Sequence, residues 1–127
     1  MLRIMTQSLP LLHHLAKRMS PHLRGRLAEK VALVSYLIRG FRPLAVPQAM
    51  AQTDLTLRRG ALIVLVEVKY RVTRQRAHLA LTPVQRQRLT RQARSVAARY
   101  HGSTVRVEAC LVFPGWPFLE CIPLLDN

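Results

Sequence analysis

The chain has 127 residues, half of them hydrophobic, so it is long enough for one domain with a buried core and too apolar to be disordered throughout. Twenty lysine and arginine residues against six acidic residues give a net charge of +14, which is typical of a protein that binds DNA, RNA or, less often, anionic lipid. The alternative is a basic protein from an arginine-rich proteome, without a polyanionic partner.

The cysteine and hydropathy patterns exclude several other classes of protein. Cys110 and Cys121 form no CxxC motif, and they cannot build a zinc site with the histidines as spaced. No apolar run approaches the length that spans a membrane, and the N-terminus lacks the apolar core of a signal peptide. We therefore expect a cytoplasmic protein that does not associate with membranes and whose thiols are free.

Residues 1–20 are expected to be a basic N-terminal extension, followed by a single domain at residues 21–127. From Pro10 onward the extension could form a short amphipathic helix, a loose tail that binds nucleic acid, or a helix on a membrane surface. The sequence leaves these three alternatives open. His13 and His14 have no third ligand nearby and are expected to face solvent.

The first predicted helix begins after Ser20, an N-cap residue followed by Pro21, and ends near Arg39. Gly40 fits the left-handed position that closes a helix. Five residues form an apolar stripe at helical spacing, the pattern of a helix packed on a core: Leu23, Leu27, Val31, Val34 and Ile38.

Three strand candidates follow. Residues 41–46 are interrupted by proline, which restricts them to a sheet edge, and residues 54–58 alternate between polar and apolar side chains. Residues 62–69 start with a continuous apolar run that predicts a strand buried on both faces. This strand ends in Glu67 and Lys69, whose side chains lie on the same face. Charges at the edge of a core indicate a partner or a function.

The turn between the last two strands predicts their register. Gly60 suits the first central position of a two-residue type II′ hairpin, which pairs Leu57 with Val64 and sets Asp54 opposite Glu67. Two carboxylates facing each other across a ladder repel, and a divalent cation between them turns that repulsion into coordination. A turn of different length would move Asp54 to the other face of the sheet.

The second half of the chain predicts a basic loop at residues 70–76, a second helix and two strands. Thr82 and Gln85 form a capping box, and the helix that it opens continues to about Tyr100. Its predicted inward residues are Leu89, Ala93, Val96, Ala97 and Tyr100. Residues 106–113 and 118–124 are strand candidates around a turn, and pairing their adjoining ends sets Cys110 opposite Cys121.

The order of these elements resembles the PD-(D/E)xK restriction-endonuclease-like superfamily and, within it, the YraN-like family of small bacterial proteins. The motifs that carry the resemblance cover about residues 24–113. They are Gly25-x-x-x-Glu29 in the first helix, Thr53-Asp54-Leu55, Val66-Glu67-Val68-Lys69, and Arg106-Val107-Glu108. From the residues alone, Glu29 would be explained as a surface ion pair with a neighbouring basic residue.

The resemblance implies an α/β fold with a restriction-endonuclease-like mixed central sheet flanked by helices. It also implies a nuclease that depends on Mg²⁺ or Mn²⁺, acts on DNA more readily than on RNA, and works as a homodimer in some relatives by fold. Asp54, Glu67, Glu29 and the Val68 carbonyl would bind the metal. Lys69 would orient or deprotonate the attacking water, completing a catalytic set of Asp54, Glu67, Lys69 and Glu29.

The chain departs from the family pattern in both motifs that flank the core strand. Ala51 and Gln52 stand where the family usually has a glycine and a glutamate, and Glu108 stands where it has an aspartate. The alternatives are therefore a catalytically inactive nucleic-acid-binding module on the same fold, or a basic structural protein of a ribonucleoprotein. The residues expected to contact nucleic acid are Gln52, Arg71, Arg74, Arg86, Arg91 and Arg94.

Overall fold

The computed structural model of the chain describes residues 18–47, 50 and 52–125. The expectations for residues 1–17, including His13 and His14, lie outside this range. The elements in chain order are α1 (Pro21–Ile38), β1 (Arg42–Pro43), β2 (Leu55–Arg59), β3 (Leu62–Tyr70), α2 (Arg74–His78), α3 (Pro83–Arg99), β4 (Thr104–Val112) and β5 (Leu119–Leu125).

The five strands form one mixed sheet in the order β1-β2-β3-β4-β5. β3 and β4 run parallel, and the other neighbouring strands are antiparallel. α1 packs on one face of the sheet, where Val64 and Val66 of β3 lie, and α3 packs on the opposite face, against Ile63 and Leu65. This arrangement confirms the expected α/β class with a mixed central sheet flanked by helices.

The β2–β3 hairpin has the predicted register. Gly60 has φ of +60°, as the first central position of a type II′ turn requires. Leu57 pairs with Val64 and Leu55 pairs with Val66. The turn therefore determines which residues of β2 lie beside the charged end of β3.

α1 begins and ends as predicted, but it presents the opposite face to the sheet. Ser20 caps its first turn, and the buried residues are Ala28, Ala32 and Tyr36. The apolar stripe expected against the core is instead exposed, by fractions that range from 42% at Leu27 to 81% at Ile38. Small side chains let the helix approach the sheet closely, so the alanine face packs inward although it is less hydrophobic.

The chain between β3 and β4 holds one element that the sequence analysis missed. The predicted basic loop contains the short helix α2, which Thr73 caps and which buries Ala77. α3 begins with the predicted capping box at Thr82 and buries Leu89 and Val96, whereas Ala97, expected inward, is exposed. Within the part of the chain that the structure describes, no helix combines the length and apolar character needed to cross a membrane.

Candidate active site

The end of β3 that carries Glu67 and Lys69 extends beyond the neighbouring strand β2. β4 pairs with all of β3, whereas β2 pairs only with residues 62–66. The sequence analysis predicted Asp54 on a rung of the ladder, opposite Glu67. β2 starts at Leu55, however, and Asp54 lies just outside the ladder. Its Oδ2 atom instead accepts a hydrogen bond from the backbone N–H of Val68, at 2.8 Å. Asp54 is thereby held against the segment Glu67–Lys69 by the main chain of β3.

Glu67 is a buried carboxylate with two cationic neighbours. Strand alternation puts it on the face of β3 that packs against α3, and only 6% of the residue is exposed. Its Oε1 atom lies 3.7 Å from Nζ of Lys69 and 3.4 Å from Nη2 of Arg88. Lys69 comes from the same strand and Arg88 from α3, so the helix on this face partly compensates the buried charge.

Asp54 couples the carboxylates of two elements electrostatically. Burial raises the pKa of Glu67, and the negative charge of Asp54 raises this pKa further, against the opposing effect of Lys69 and Arg88. Burial and Asp54, in the same order of importance, also raise the pKa of Glu29 on α1. The negative charge of Asp54 therefore disfavours the ionised form of both glutamates. A cation near Asp54 would reduce its repulsion with each of them.

The donors at this site fit a hard divalent cation. Asp54, Glu67 and the carbonyl of Val68 supply only oxygen ligands, which suit Mg²⁺ and Mn²⁺, and Mg²⁺ is commonly held by one or two carboxylates together with water. Among residues 18–47, 50 and 52–125, however, no group of three or more acidic, histidine or cysteine side chains is placed to hold a metal ion. Glu29 interacts with Asp54 through its charge without completing such a group.

A basic cleft of about 370 Å³ opens beside this site, between the start of α1 and the end of β3. Its cationic lining residues are Arg24, Lys69, Arg71 and Arg76, and none of its lining residues is acidic. Arg71 was predicted to contact nucleic acid, and Arg24 and Arg76 were missed. The sequence does not single out Arg24, because its place in line with Ala28, Ala32 and Tyr36 at i, i+4 spacing matters only once α1 turns that face to the sheet.

A second cleft, of about 320 Å³, lies between α3 and the segment before β2. It brings Gln52 together with Arg91, two of the predicted nucleic-acid contacts, and with Arg88, which also faces Glu67. Arg86 and Arg94 are exposed elsewhere on α3. The sequence gives no signal that singles out Arg88, since its contact with Glu67 depends on how α3 crosses the sheet.

Arg74 differs from the other predicted contacts because it is already paired within the chain. Its Nε and Nη2 atoms donate to the two carboxylate oxygens of Glu120, at 2.8 and 3.1 Å. His78 lies 3.2 Å from the same carboxylate. The hydrogen bond from Arg74 is the main reason that the pKa of Glu120 is lowered. Arg74 would have to leave this bidentate pair to bind a phosphate.

We expect Glu67→Gln to be more stable than the original protein at neutral pH without added metal. The folded-state pKa of Glu67 lies above its usual value of 4.5, so the ionised carboxylate opposes folding. The stability of the original protein should fall as the pH rises from about 4.5 through the raised pKa, and the decrease should be smaller in the variant, where Glu29 alone of the two glutamates contributes to it. Thermal unfolding between pH 4 and 8 measures the difference, and a lower Tm for the variant at pH 7 would contradict the expectation.

Comparison with known proteins identifies relatives over most of the chain, although no family model matches it. A UPF0102 protein of Methylobacterium nodulans is 41% identical over 107 residues, which cover 80% of this chain and 83% of the relative. A UPF0102 protein of Methylorubrum extorquens is 42% identical over 108 residues, covering 80% and 84%. One from Maricaulis maris is 38% identical over 106 residues, covering 79% and 84%. At this identity and coverage, the chain belongs to the UPF0102 family of bacterial proteins.

Proposed function

We propose that this protein is a Mg²⁺- or Mn²⁺-dependent nuclease of the PD-(D/E)xK superfamily, with a restriction-endonuclease-like fold, that hydrolyses phosphodiester bonds in DNA more readily than in RNA. The observation that carries the proposal is the 2.8 Å hydrogen bond from Val68 to Asp54, which fixes a second carboxylate beside Glu67 and Lys69. A site of two acids and one lysine in a molecule with a net charge of +14 combines metal ligands with affinity for a polyanion.

In this proposal Asp54, Glu67 and the Val68 carbonyl hold the metal ion. When bound, the ion lowers the pKa of a coordinated water and polarises a phosphoryl oxygen. Lys69 both faces Glu67 and lines the basic cleft, so its ammonium group can orient the attacking water and offset the negative charge of the scissile phosphate. Glu29 contributes through its electrostatic interaction with Asp54.

The two clefts give the nucleic-acid backbone a path past these acids. Arg24, Arg71 and Arg76 line the cleft beside Lys69, and Arg91 and Gln52 line the cleft beside Arg88. Guanidinium groups form bidentate hydrogen bonds with phosphate oxygens, so both clefts suit the backbone on either side of a scissile bond. Binding that relies on such contacts weakens steeply as the salt concentration rises.

Cleavage of labelled DNA by the purified full chain tests the proposal. Single strands, duplexes, nicked duplexes, flaps and four-way junctions are incubated with Mg²⁺, Mn²⁺ or a chelator, with matched RNA substrates alongside. We expect metal-dependent products from at least one DNA structure, and a large loss of rate in Lys69→Met, which keeps the apolar stem of the side chain without its charge.

Lys30→Met is the matched control, because Lys30 is exposed on α1 and lines neither cleft. It should retain the original rate. Intact substrates under every condition, with DNA binding preserved, would exclude the nuclease and support the alternative function. Equal loss of rate in both lysine variants would show that net charge, and not the position of Lys69, limits cleavage.

The alternative is a nucleic-acid-binding module on the same fold without catalytic activity. Two observations favour it: Gln52 replaces the glutamate usual in the YraN-like pattern, and the described residues contain no group of three potential metal ligands. This function needs the arginines of the two clefts and not the carboxylates. DNA binding that is unchanged by chelator and by Asp54→Asn would support it.

A further inference from the structure

The two cysteines face each other across neighbouring strands, and neither is among the residues assigned to the candidate active site. Cys110 on β4 and Cys121 on β5 are cross-strand partners, as the sequence predicted. Both are free thiols, and their sulfur atoms lie 3.3 Å apart. Cys110 is fully buried, whereas Cys121 is partly exposed. One cysteine of the pair is therefore partly accessible from solvent, and the sulfur of the second cysteine lies in contact with its own.

Four titratable groups surround Cys121, and they act unequally on its ionisation. The main effect is a hydrogen bond from the Cys110 thiol, which lowers the pKa of Cys121 against the opposing effect of burial. Tyr36 and Arg39 lower this pKa further, Glu108 raises it, and the net result is a pKa of about 6. The same contact with Cys121 raises the pKa of Cys110.

Arg39 is the positive charge at this pair of thiols. Its Nη2 atom lies 3.7 Å from the sulfur of Cys121, and its guanidinium stacks 4.2 Å from the centre of the Tyr36 ring. The Tyr36 hydroxyl donates in turn to the buried carboxylate of Glu108, at 2.6 Å. These contacts hold the guanidinium beside the sulfur, in the kind of electropositive, partly exposed surroundings that make a cysteine reactive.

We propose that Cys121 is a peroxide-reactive thiolate and that Cys110 is its resolving thiol, so that the two residues form a reversible disulfide between β4 and β5. The proposal is independent of the nuclease function. It assigns an oxidative modification site to the thiol pair, with hydrogen peroxide as the oxidant and a small dithiol as the reductant that restores the free thiols.

The reaction balances in two steps. The Cys121 thiolate attacks one oxygen of hydrogen peroxide, the O–O bond breaks, and Cys121 becomes a sulfenic acid while hydroxide leaves and takes up a proton. The sulfur of Cys110 then attacks the sulfur of Cys121, the S–S bond forms, and the hydroxyl group leaves as water with the proton of the Cys110 thiol. Two thiols lose two electrons and hydrogen peroxide becomes two water molecules.

Oxidation removes the negative charge that Arg39 faces. Arg39 is the C-cap residue of α1, and Tyr36, beneath its guanidinium, is fully buried on the same helix. In the oxidised protein Arg39 loses its contact with a thiolate and keeps its hydrogen bonds to the carbonyl and hydroxyl oxygens of Ser35. The chemical change at the β4–β5 pair therefore alters one contact between the sheet and the end of α1.

Mass spectrometry of the peroxide-treated full chain tests the proposal. We expect an intact mass lower by two hydrogens, one intramolecular Cys110–Cys121 disulfide after digestion, and full recovery of both thiols with a dithiol. Cys110→Ser should instead accumulate a sulfenic acid at Cys121 that a cyclic dione traps. Cys121→Ser should leave Cys110 reduced, because Cys110 is fully buried and burial by itself raises the pKa of its thiol.

The rate of alkylation by iodoacetamide against pH provides a readout that does not depend on disulfide formation. The rate at Cys121 should rise through a midpoint near 6 in the original protein and at a higher pH in Arg39→Gln. Arg99→Gln, at an exposed arginine at the end of α3, is the matched control and should keep the original midpoint. The proposal is overturned if Cys121 titrates like an ordinary thiol near 9, or if peroxide yields only intermolecular disulfides or unchanged thiols.

Discussion

Asp54→Asn is expected to reduce metal-dependent DNA cleavage by roughly a thousandfold, with little change in the fold. A metal ion contributes several kcal/mol of transition-state stabilisation, and each loss of about 1.4 kcal/mol slows a reaction about tenfold. The amide oxygen of asparagine can still accept the hydrogen bond from Val68, so the substitution removes the charge and keeps the contact. Single-turnover cleavage rates, compared at saturating metal, measure the effect.

Glu120→Gln is the matched control for this experiment. Glu120 is also an acidic residue of the sheet, but it pairs with Arg74 and His78 and not with residues of the site. Its variant should cleave bound DNA at the original rate, and because the substitution also releases Arg74, the rates are compared at saturating DNA. If Asp54→Asn and Glu120→Gln lose activity to the same extent, the loss follows from net charge or stability, and Asp54 has no particular part in catalysis.

Mn²⁺ is expected to stabilise the original protein by about 2.7 kcal/mol when its free concentration is about one hundred times its dissociation constant. For a chain of this length, that free energy corresponds to an increase in Tm of about 10 °C. The physical reason is that the ion binds the folded state and relieves the repulsion that raises the pKa of Glu67 and Glu29. Differential scanning calorimetry with and without Mn²⁺ measures the shift.

The shift should vanish in Asp54→Asn and in Glu67→Gln, and it should remain in Glu120→Gln. This measurement needs no nucleic acid, so it separates metal binding from catalysis. A protein that binds Mn²⁺ at Asp54 and fails to cleave DNA would be the inactive module with its metal site preserved. An identical Tm with and without Mn²⁺ over a wide range of concentrations would exclude a metal site at Asp54 and Glu67.

The sequence predicts the part of the site that depends on the turn between β2 and β3. Gly60 fixes the hairpin register, and from that register Asp54 is brought to the Glu67–Lys69 end of β3. The predicted pairing of Asp54 with Glu67 at the end of the ladder is wrong, because the side chain of Asp54, and not its backbone, accepts a hydrogen bond from Val68. Local turn chemistry is visible in a sequence, whereas the point at which a ladder stops depends on competing side-chain hydrogen bonds.

The orientation of α1 could not be predicted for a different reason. Hydrophobicity favours the stripe that contains Leu27 and Ile38, yet the helix buries Ala28, Ala32 and Tyr36. Tyr36 is stabilised there by Glu108, a carboxylate 72 residues away in sequence. Such a partner is visible only once the sheet is assembled, and the same holds for the contact between Arg88 and Glu67. Pairs of this kind follow from tertiary packing.

The antiparallel β2–β3 pairing and the parallel β3–β4 pairing can form at different stages of folding. The β2–β3 pairing closes a loop of only two residues, whereas β3 meets β4 only after residues 71–103 have returned across the sheet. Closing a longer loop has a larger entropic barrier, so we expect local pairing to form earlier during folding. Asp54 and Glu67 are then brought together before α3 has placed Arg88 beside Glu67, so that Lys69, on the same strand, is the first of the two cations available to Glu67.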